Sequence, residues 1–137
     1  MTRVKINIQS RQIDGEDLNY KTVGELSRKG DRFQLSFSLK TVENAPPSLW
    51  KIVFWREGLA VLKTTGETGY TFRLEEGADT AASFSLGGYS FPITVKTELV
   101  RLKDFSNHGN LHLRYKLYSG GMPINENDVL ICWEDDI

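Results

Sequence analysis

Apolar and polar residues alternate along most of the chain, with the two-residue period of a β-strand. From residue 89 to 99 the odd positions are aromatic, aliphatic or threonine, and the even positions are polar or proline. Because successive strand side chains point to opposite faces, such a run predicts a strand with one buried face. No segment has a sustained helical period. Similar alternating runs lie at residues 4–8, 33–39, 70–74, 82–86 and 111–117.

Glycine-containing turn signals separate these runs at short intervals. Gly87-Gly88 joins two alternating runs and predicts a β-hairpin, because the favoured two-residue turns need positive φ. Pro92 lacks a backbone donor and therefore predicts an edge, a bulge or a bend in its strand. The apolar residues occupy odd positions up to Leu99 and then even positions at Val100 and Leu102. This change of parity predicts a β-bulge in the strand.

The number and spacing of the runs predict about eight to ten strands in an all-β fold, either a sandwich or a barrel. Consecutive short connections suit an up-and-down meander better than long crossings. Closure would also remove exposed sheet edges. We therefore expect an antiparallel up-and-down barrel, formed as one domain by residues 1–137.

Composition narrows the class of protein. The formal charge of -1 and the 26% of charged residues argue against a large nucleic-acid footprint, which needs a basic surface. No apolar run approaches the length of a bilayer span, and the first residues lack the apolar segment of a signal peptide. Cys132 is the single cysteine, so no internal disulfide forms. These features favour a cytoplasmic protein without a membrane partner.

Several segments carry a family resemblance. Residues 4–15 (VKINIQSRQIDG), 24–30 (GELSRKG), 88–97 (GYSFPITVKT) and 109–117 (GNLHLRYKL) resemble the YwiB-like bacterial proteins, an uncharacterised family. The resemblance implies a calycin or lipocalin-like β-barrel and no known activity. The chain departs from the family pattern at residues 63–66 (KTTG), where an Arg-x-Gly step is usual, and at residues 37–39 (FSL), where Tyr-x-Glu is usual. If those polar positions carry a family function, this member has altered it.

The segment from Leu49 to Arg56 is apolar on both parities, which is unusual for a strand with one wet face. One hypothesis is that Trp50 or Trp55 lines a cavity mouth or a partner surface, with Lys51 or Arg56 binding an anion. The alternative is a structural strand covered on both faces. The cover would be a second copy of the chain, giving a homodimer, or the loop that contains Pro46 and Pro47.

Tyr115 lies on the apolar parity of its strand, so its hydroxyl needs a buried partner. That partner is a bound ligand, a protein group or water. Arg114 precedes it and must point to the opposite face. The two residues therefore do not form the carboxylate clamp that intracellular fatty-acid carriers place late in their chains.

No residue pattern predicts a metal, a cofactor or a catalytic group. His108 and His112 are about 13 Å apart in an extended strand, too far to share one zinc. Cys132 has apolar and acidic neighbours rather than the base or cation that a reactive thiolate needs. An enzyme is therefore the function least favoured by the sequence.

Two functions remain. The first is a barrel that binds a small apolar or amphipathic ligand in its lumen. The second is an interaction module or homodimer that uses the strand from Trp50 to Trp55. Whether the lumen is open or packed depends on how the bulky inward-facing side chains fill it; they are Phe33, Phe37, Phe72, Phe84, Tyr89, Phe91 and Tyr115.

Overall fold

The computed structural model describes residues 1–12, 15, 17–40, 46–66 and 68–136. Asp14, in the first segment that carries the family resemblance, and Ala45, which precedes Pro46 in the predicted proline loop, lie outside the described residues. Ten antiparallel strands account for most of the described residues. Their bounds are β1 Thr2–Gln12, β2 Asp17–Lys29, β3 Arg32–Leu39, β4 Ser48–Trp55, β5 Leu59–Thr65, β6 Thr68–Glu75, β7 Asp79–Leu86, β8 Tyr89–Asp104, β9 His108–Ser119 and β10 Met122–Asp135.

The strands form a closed barrel in which each strand pairs with its neighbour in sequence and β1 pairs with β10. This arrangement confirms the predicted all-β, antiparallel, up-and-down barrel, at the upper end of the predicted strand count. A register shift in the β8–β9 ladder between Thr97 and Leu99 confirms the predicted bulge. The bulge lets Val100 face the core, where only 4% of its surface is exposed.

The up-and-down order gives the barrel two different ends. The turns β1–β2, β3–β4, β5–β6, β7–β8 and β9–β10 lie at one end, here called the mouth. The chain termini and the other four turns lie at the opposite end, here called the base.

The base is packed with apolar side chains and capped by charge. Phe54 stacks on Phe33, with ring centroids 5.3 Å apart, and also contacts Trp133 at 5.6 Å. Asp104 accepts hydrogen bonds from Arg28 at 3.0 Å and from Arg56 at 3.5 Å. Because these hydrogen bonds link β2, the β4–β5 turn and the end of β8 across the base, this end of the barrel is closed.

The Gly87-Gly88 turn forms the predicted hairpin, with φ of 57° and 84° at the two glycines. Pro92 pairs with Ser83 on β7, while the β8–β9 ladder begins only at Thr94. Pro92 therefore occupies a stretch of β8 that has one neighbour, as its missing donor requires.

The strand β4 does carry large apolar groups on both faces. Trp50, Ile52 and Phe54 share the inner face, whereas Val53 and Trp55 share the outer face and are half-buried there. Pro46 and Pro47 are exposed and lie at the mouth, while Trp55 lies at the base. The described part of the proline loop therefore does not cover Trp55, and the homodimer stays a prediction.

Candidate functional site

Inward side chains in the mouth half of the barrel are less completely buried than those at the base. Side chains that face inward here keep part of their surface accessible, although they pack against the core. At the base, by contrast, the inward side chains of Phe33, Leu35 and Phe54 are at most 1% exposed. The partly accessible inward set at the mouth is Tyr20, Trp50, Tyr70, Ala82 and Phe84.

Aromatic rings form one wall of this mouth half. The register places Trp50 on β4, Tyr70 on β6 and Phe84 on β7 at nearly the same level, with Thr64 of β5 between Trp50 and Tyr70. The ring centroid of Tyr70 lies 6.1 Å from that of Trp50, in an edge-to-face contact, and 5.9 Å from that of Phe84. Phe37 extends the wall by stacking on Trp50 at 5.9 Å. These offset and edge contacts are the arrangements that aromatic side chains prefer.

Carboxamides form the wall contributed by β1 and β10. Gln12 Nε2 donates to Asn127 Oδ1 at 3.4 Å, and Asn127 Nδ2 donates to Asn125 Oδ1 at 2.8 Å. Asn127 is only 7% exposed, so this polar chain reaches into the interior. Asn127 is the cross-strand partner of Tyr115 on β9, and Tyr115 is the cross-strand partner of Thr97 on β8, so the three residues lie on one rung of the sheet.

In the part of the chain that the structure describes, four buried side-chain polar atoms have no hydrogen-bond partner. Trp133 Nε1 lies at the packed base and Asn7 Oδ1 lies on β1. The other two are the indole Nε1 of Trp50 and the hydroxyl Oγ1 of Thr97, whose residue is 4% exposed. A buried polar atom without a partner costs roughly 1–3 kcal/mol, so native proteins rarely tolerate one without a reason. A bound molecule with a carbonyl or hydroxyl group would supply the missing partners.

The mouth half of the interior is electrically neutral. Among the described residues, the inward positions of the strands at this level hold apolar, hydroxyl or carboxamide side chains and no charged one. Burial raises the pKa of Tyr115 to about 12. Burial, together with the neighbouring Tyr115, raises the pKa of Tyr70 further still. Both phenols are therefore uncharged at neutral pH.

The structure separates the five site residues that the sequence suggested. Trp50 and Tyr115 face the interior at the mouth. Lys51 and Trp55 face outward on β4. Arg56 lies at the base, where its guanidinium sits 5.1 Å from the ring centroid of Phe33 and bonds to Asp104. Arg56 is thus part of the cap rather than of an interior site.

Arg114 points away from Tyr115, as the alternation predicts, and bonds to Asp128 at 3.2 Å on the outer surface. His112 Nε2 also contacts Asp128, at 2.5 Å. Partial burial acts to raise the pKa of Asp128, but the hydrogen bonds and charges of His112 and Arg114 outweigh it, and the pKa lies below its usual value.

The other candidate groups are dispersed. His108 stacks on Phe105, with ring centroids 4.7 Å apart, and does not meet His112. Burial raises the pKa of the Cys132 thiol, which keeps it protonated and unreactive near neutral pH. Within the described residues, no group of three or more histidine, cysteine or acidic side chains has the arrangement of a metal site.

Sequence reasoning missed the carboxamide wall and Thr97. A signal was present, because Asn127 and Thr97 occupy positions whose same-parity neighbours, such as Val129 and Val95, are buried and apolar. A polar residue on the apolar parity of a strand marks a polar group inside the barrel.

A closed, antiparallel, up-and-down barrel of ten strands is a lipocalin-like fold. The chain belongs to the family described as domain of unknown function DUF1934, whose model matches residues 3–131. No helix among the described residues has the length and apolarity that a membrane span requires.

The same fold is found in a solved structure. The crystal structure of the ywiB protein from Bacillus subtilis matches with a TM-score of 0.84 over 99% of this chain and 93% of that chain. The two sequences are 16% identical, so the similarity concerns the fold alone. No curated protein matches the chain.

Proposed function

We propose that the mouth half of the barrel binds a small, flat, uncharged molecule that has one apolar face and one hydrogen-bonding edge. The observation that carries this proposal is the pair of buried, unpartnered polar atoms, Trp50 Nε1 and Thr97 Oγ1. They belong to the same interior as the aromatic wall and the carboxamide wall. A cluster of convergent polar groups in a mostly apolar site is the usual form of a small-molecule site.

The chemistry of the two walls sets the class of ligand. The rings of Trp50, Tyr70 and Phe84 offer faces and edges to an aromatic or planar group. The carboxamides of Asn125 and Asn127 both donate and accept, so they suit a neutral amide, carbonyl or hydroxyl edge. A carboxylate or ammonium would lose its hydration here without a counter-charge, at a cost of several kcal/mol.

Binding is favoured over catalysis because of the groups involved. Carboxamides do not ionise near neutral pH, and Tyr115, whose pKa is raised to about 12, holds too little phenolate there to act as a general base. The interior thus offers recognition without an evident acid–base pair.

A matched ligand pair tests the proposal. Benzamide and benzoate have nearly the same shape, but only benzoate is charged at pH 7. We expect benzamide to shift the indole N–H resonance of Trp50 in a proton–nitrogen correlation spectrum, with no shift at the outward Trp55. Benzoate should leave Trp50 unchanged. Equal responses to both compounds, or a response to neither of them, would count against the proposal.

A Thr97→Val variant tests the role of the unpartnered hydroxyl. Removing a buried hydroxyl that has no partner should raise the free energy of unfolding of the empty protein by roughly 1 kcal/mol. The same change should weaken benzamide binding. Thr94→Val is the matched control, because Thr94 is exposed on the outer face of the same strand. A Thr97→Val variant that is less stable than the wild type would mean that the hydroxyl has a protein partner.

A further inference from the structure

Two lysines face each other on the outside of the barrel, on the outer face of the β4–β5 wall. Lys51 on β4 is the direct cross-strand partner of Lys63 on β5, and both side chains are exposed. Side chains in this relation have Cβ atoms roughly 5 Å apart, and like charges there destabilise the sheet.

The chain contains a second lysine pair that shows how such repulsion is normally relieved. Lys96 on β8 is the cross-strand partner of Lys116 on β9. Lys116 contacts Glu98 at 3.1 Å and Glu126 at 3.5 Å, and Lys96 lies 3.9 Å from Asp79. Three carboxylates thus neutralise that pair.

The pair Lys51–Lys63 lacks such partners. Its neighbours on the same rung are Ser36 on β3 and Thr71 on β6, neither of which carries charge. Among the described residues no carboxylate lies within ion-pair distance of Lys51 or Lys63, and the nearby Arg3 is engaged by Asp136 at 3.0 Å. The repulsion between the two ammonium groups is therefore unrelieved within the described protein.

The lysines border a groove of about 670 Å³ that runs along the outside of β3. Small side chains make this groove, since Ser36 and Ser38 lie between larger residues of β2 and β4. Leu49 and Val23, which also line it, are 59% and 43% exposed. Ammonium groups, hydroxyls and exposed apolar surface thus meet in a single depression.

We infer that this groove binds a small organic anion, with its phosphate or carboxylate group between Lys51 and Lys63 and its apolar part against Leu49 and Val23. Serine hydroxyls on the groove floor would donate further hydrogen bonds to the anionic oxygens. Glu25 also lines the groove and would repel a long polyanion, which favours a small ligand. The inference uses outward-facing residues only and does not depend on ligand binding inside the barrel.

Thermal unfolding with and without anions tests the inference. The probes are sodium phosphate and sodium acetate, each compared with sodium chloride at equal ionic strength. For the wild type, we expect the midpoint to rise with the logarithm of the concentration of the bound anion, because binding to the native state alone stabilises it. Phosphate or acetate will give the larger shift, which identifies the preferred anionic group.

Charge-removing variants assign the effect to the pair. Without added anion, Lys51→Gln and Lys63→Gln should each raise the midpoint by roughly 1–3 °C, because the repulsion is removed. Both variants should lose most of the anion response. The matched controls Lys96→Gln and Lys116→Gln should keep the full anion response and should not gain stability, because each loses at least one favourable ion pair.

Two results would overturn the inference. One is an anion response of the same size in the wild type and in Lys51→Gln and Lys63→Gln. The other is a lower midpoint for Lys51→Gln and Lys63→Gln in chloride, which would mean that the lysines already have stabilising partners. Neither result would bear on benzamide binding at Trp50, so the two proposals fail separately.

Discussion

Gly24 shows, at the scale of a single residue, how tightly the barrel wall is packed. A Cβ atom at this position would lie 2.3 Å from the Ser36 carbonyl oxygen and 2.8 Å from Cδ1 of Ile6. The carbonyl belongs to the backbone of β3 and cannot move without disturbing the ladder. The glycine therefore permits the close approach of β2 to its neighbours rather than an unusual φ.

We expect Gly24→Ala to lower the free energy of unfolding by about 1–3 kcal/mol, because the added methyl overpacks the wall. Chemical denaturation of the purified variant would measure this change. Gly69→Ala is the matched control, since a Cβ there would lie 3.6 Å from its nearest neighbour, in ordinary contact. Similar stabilities for the two variants would show that β2 can move away from Ser36.

Tyr115 makes stability depend on alkaline pH. Burial raises its pKa to about 12, whereas a tyrosine in the unfolded chain ionises near 10. The folded state therefore holds the proton more tightly. The resulting stability is complete below about pH 10 and is lost as the pH rises towards about 12.

We expect Tyr115→Phe to flatten this decline, because phenylalanine has no proton to lose. Urea denaturation of the wild type and the variant at a series of pH values from neutral to strongly alkaline would measure it. An equally steep decline in both proteins would contradict a buried, protonated Tyr115. Tyr70, whose pKa is also raised by burial, should account for part of the decline that remains.

At the scale of elements, the β7–β8 hairpin depends on the different conformations of its two glycines. The φ of 57° at Gly87 and 84° at Gly88 are those of a turn that favours asparagine first and glycine second. Gly87→Asn should therefore be neutral or stabilise by up to about 1 kcal/mol, since the unfolded chain loses freedom. Gly88→Val should cost about 1–2 kcal/mol, because a β-branched residue strains at positive φ. Thermal unfolding of both variants would measure the difference, and equal midpoints would mean that the turn has another conformation.

The two faces of β4 predict opposite outcomes for its tryptophans. Trp50 contacts Phe37 and Tyr70 inside the barrel, so Trp50→Glu should cost about 3 kcal/mol or more and disrupt folding. Trp55 faces outward, so Trp55→Glu should keep the β spectrum in circular dichroism. If the chain forms a homodimer through this face, Trp55→Glu should also become monomeric in sedimentation. A wild type that sediments as a monomer at micromolar concentration would end the homodimer hypothesis.

For the molecule as a whole, local patterns in the sequence were sufficient to predict most of the fold. Alternation specified the strands, and glycine turns such as Gly87-Gly88 and Gly120-Gly121 specified their consecutive pairing. The change of parity before Val100 specified the bulge. These features are local because a strand needs only its own side chains to define two faces.

The candidate sites were harder to predict from the sequence because they depend on the register between strands. Asn127 meets Gln12 across the β1–β10 ladder, although more than a hundred residues separate them in sequence. Likewise, only the β4–β5 register places Lys51 opposite Lys63. The sequence suggested that Arg56 could bind an anion. In the structure Arg56 pairs with Asp104 across the base, and no local pattern in the sequence reveals that ion pair. A single sequence shows which face a residue occupies but not which distant residue shares its rung.

Ligand binding inside the barrel is tested most directly by diffraction from crystals soaked with 4-bromobenzamide, an uncharged aromatic amide whose bromine can be located by anomalous scattering. We expect a bromine peak inside the mouth half, beside the rings of Trp50, Tyr70 and Phe84, with the amide directed towards Asn127. An unsoaked crystal supplies the control map. Bromine found only on the outer surface, or no peak in a crystal soaked to saturation, would contradict a neutral small-molecule site in this interior.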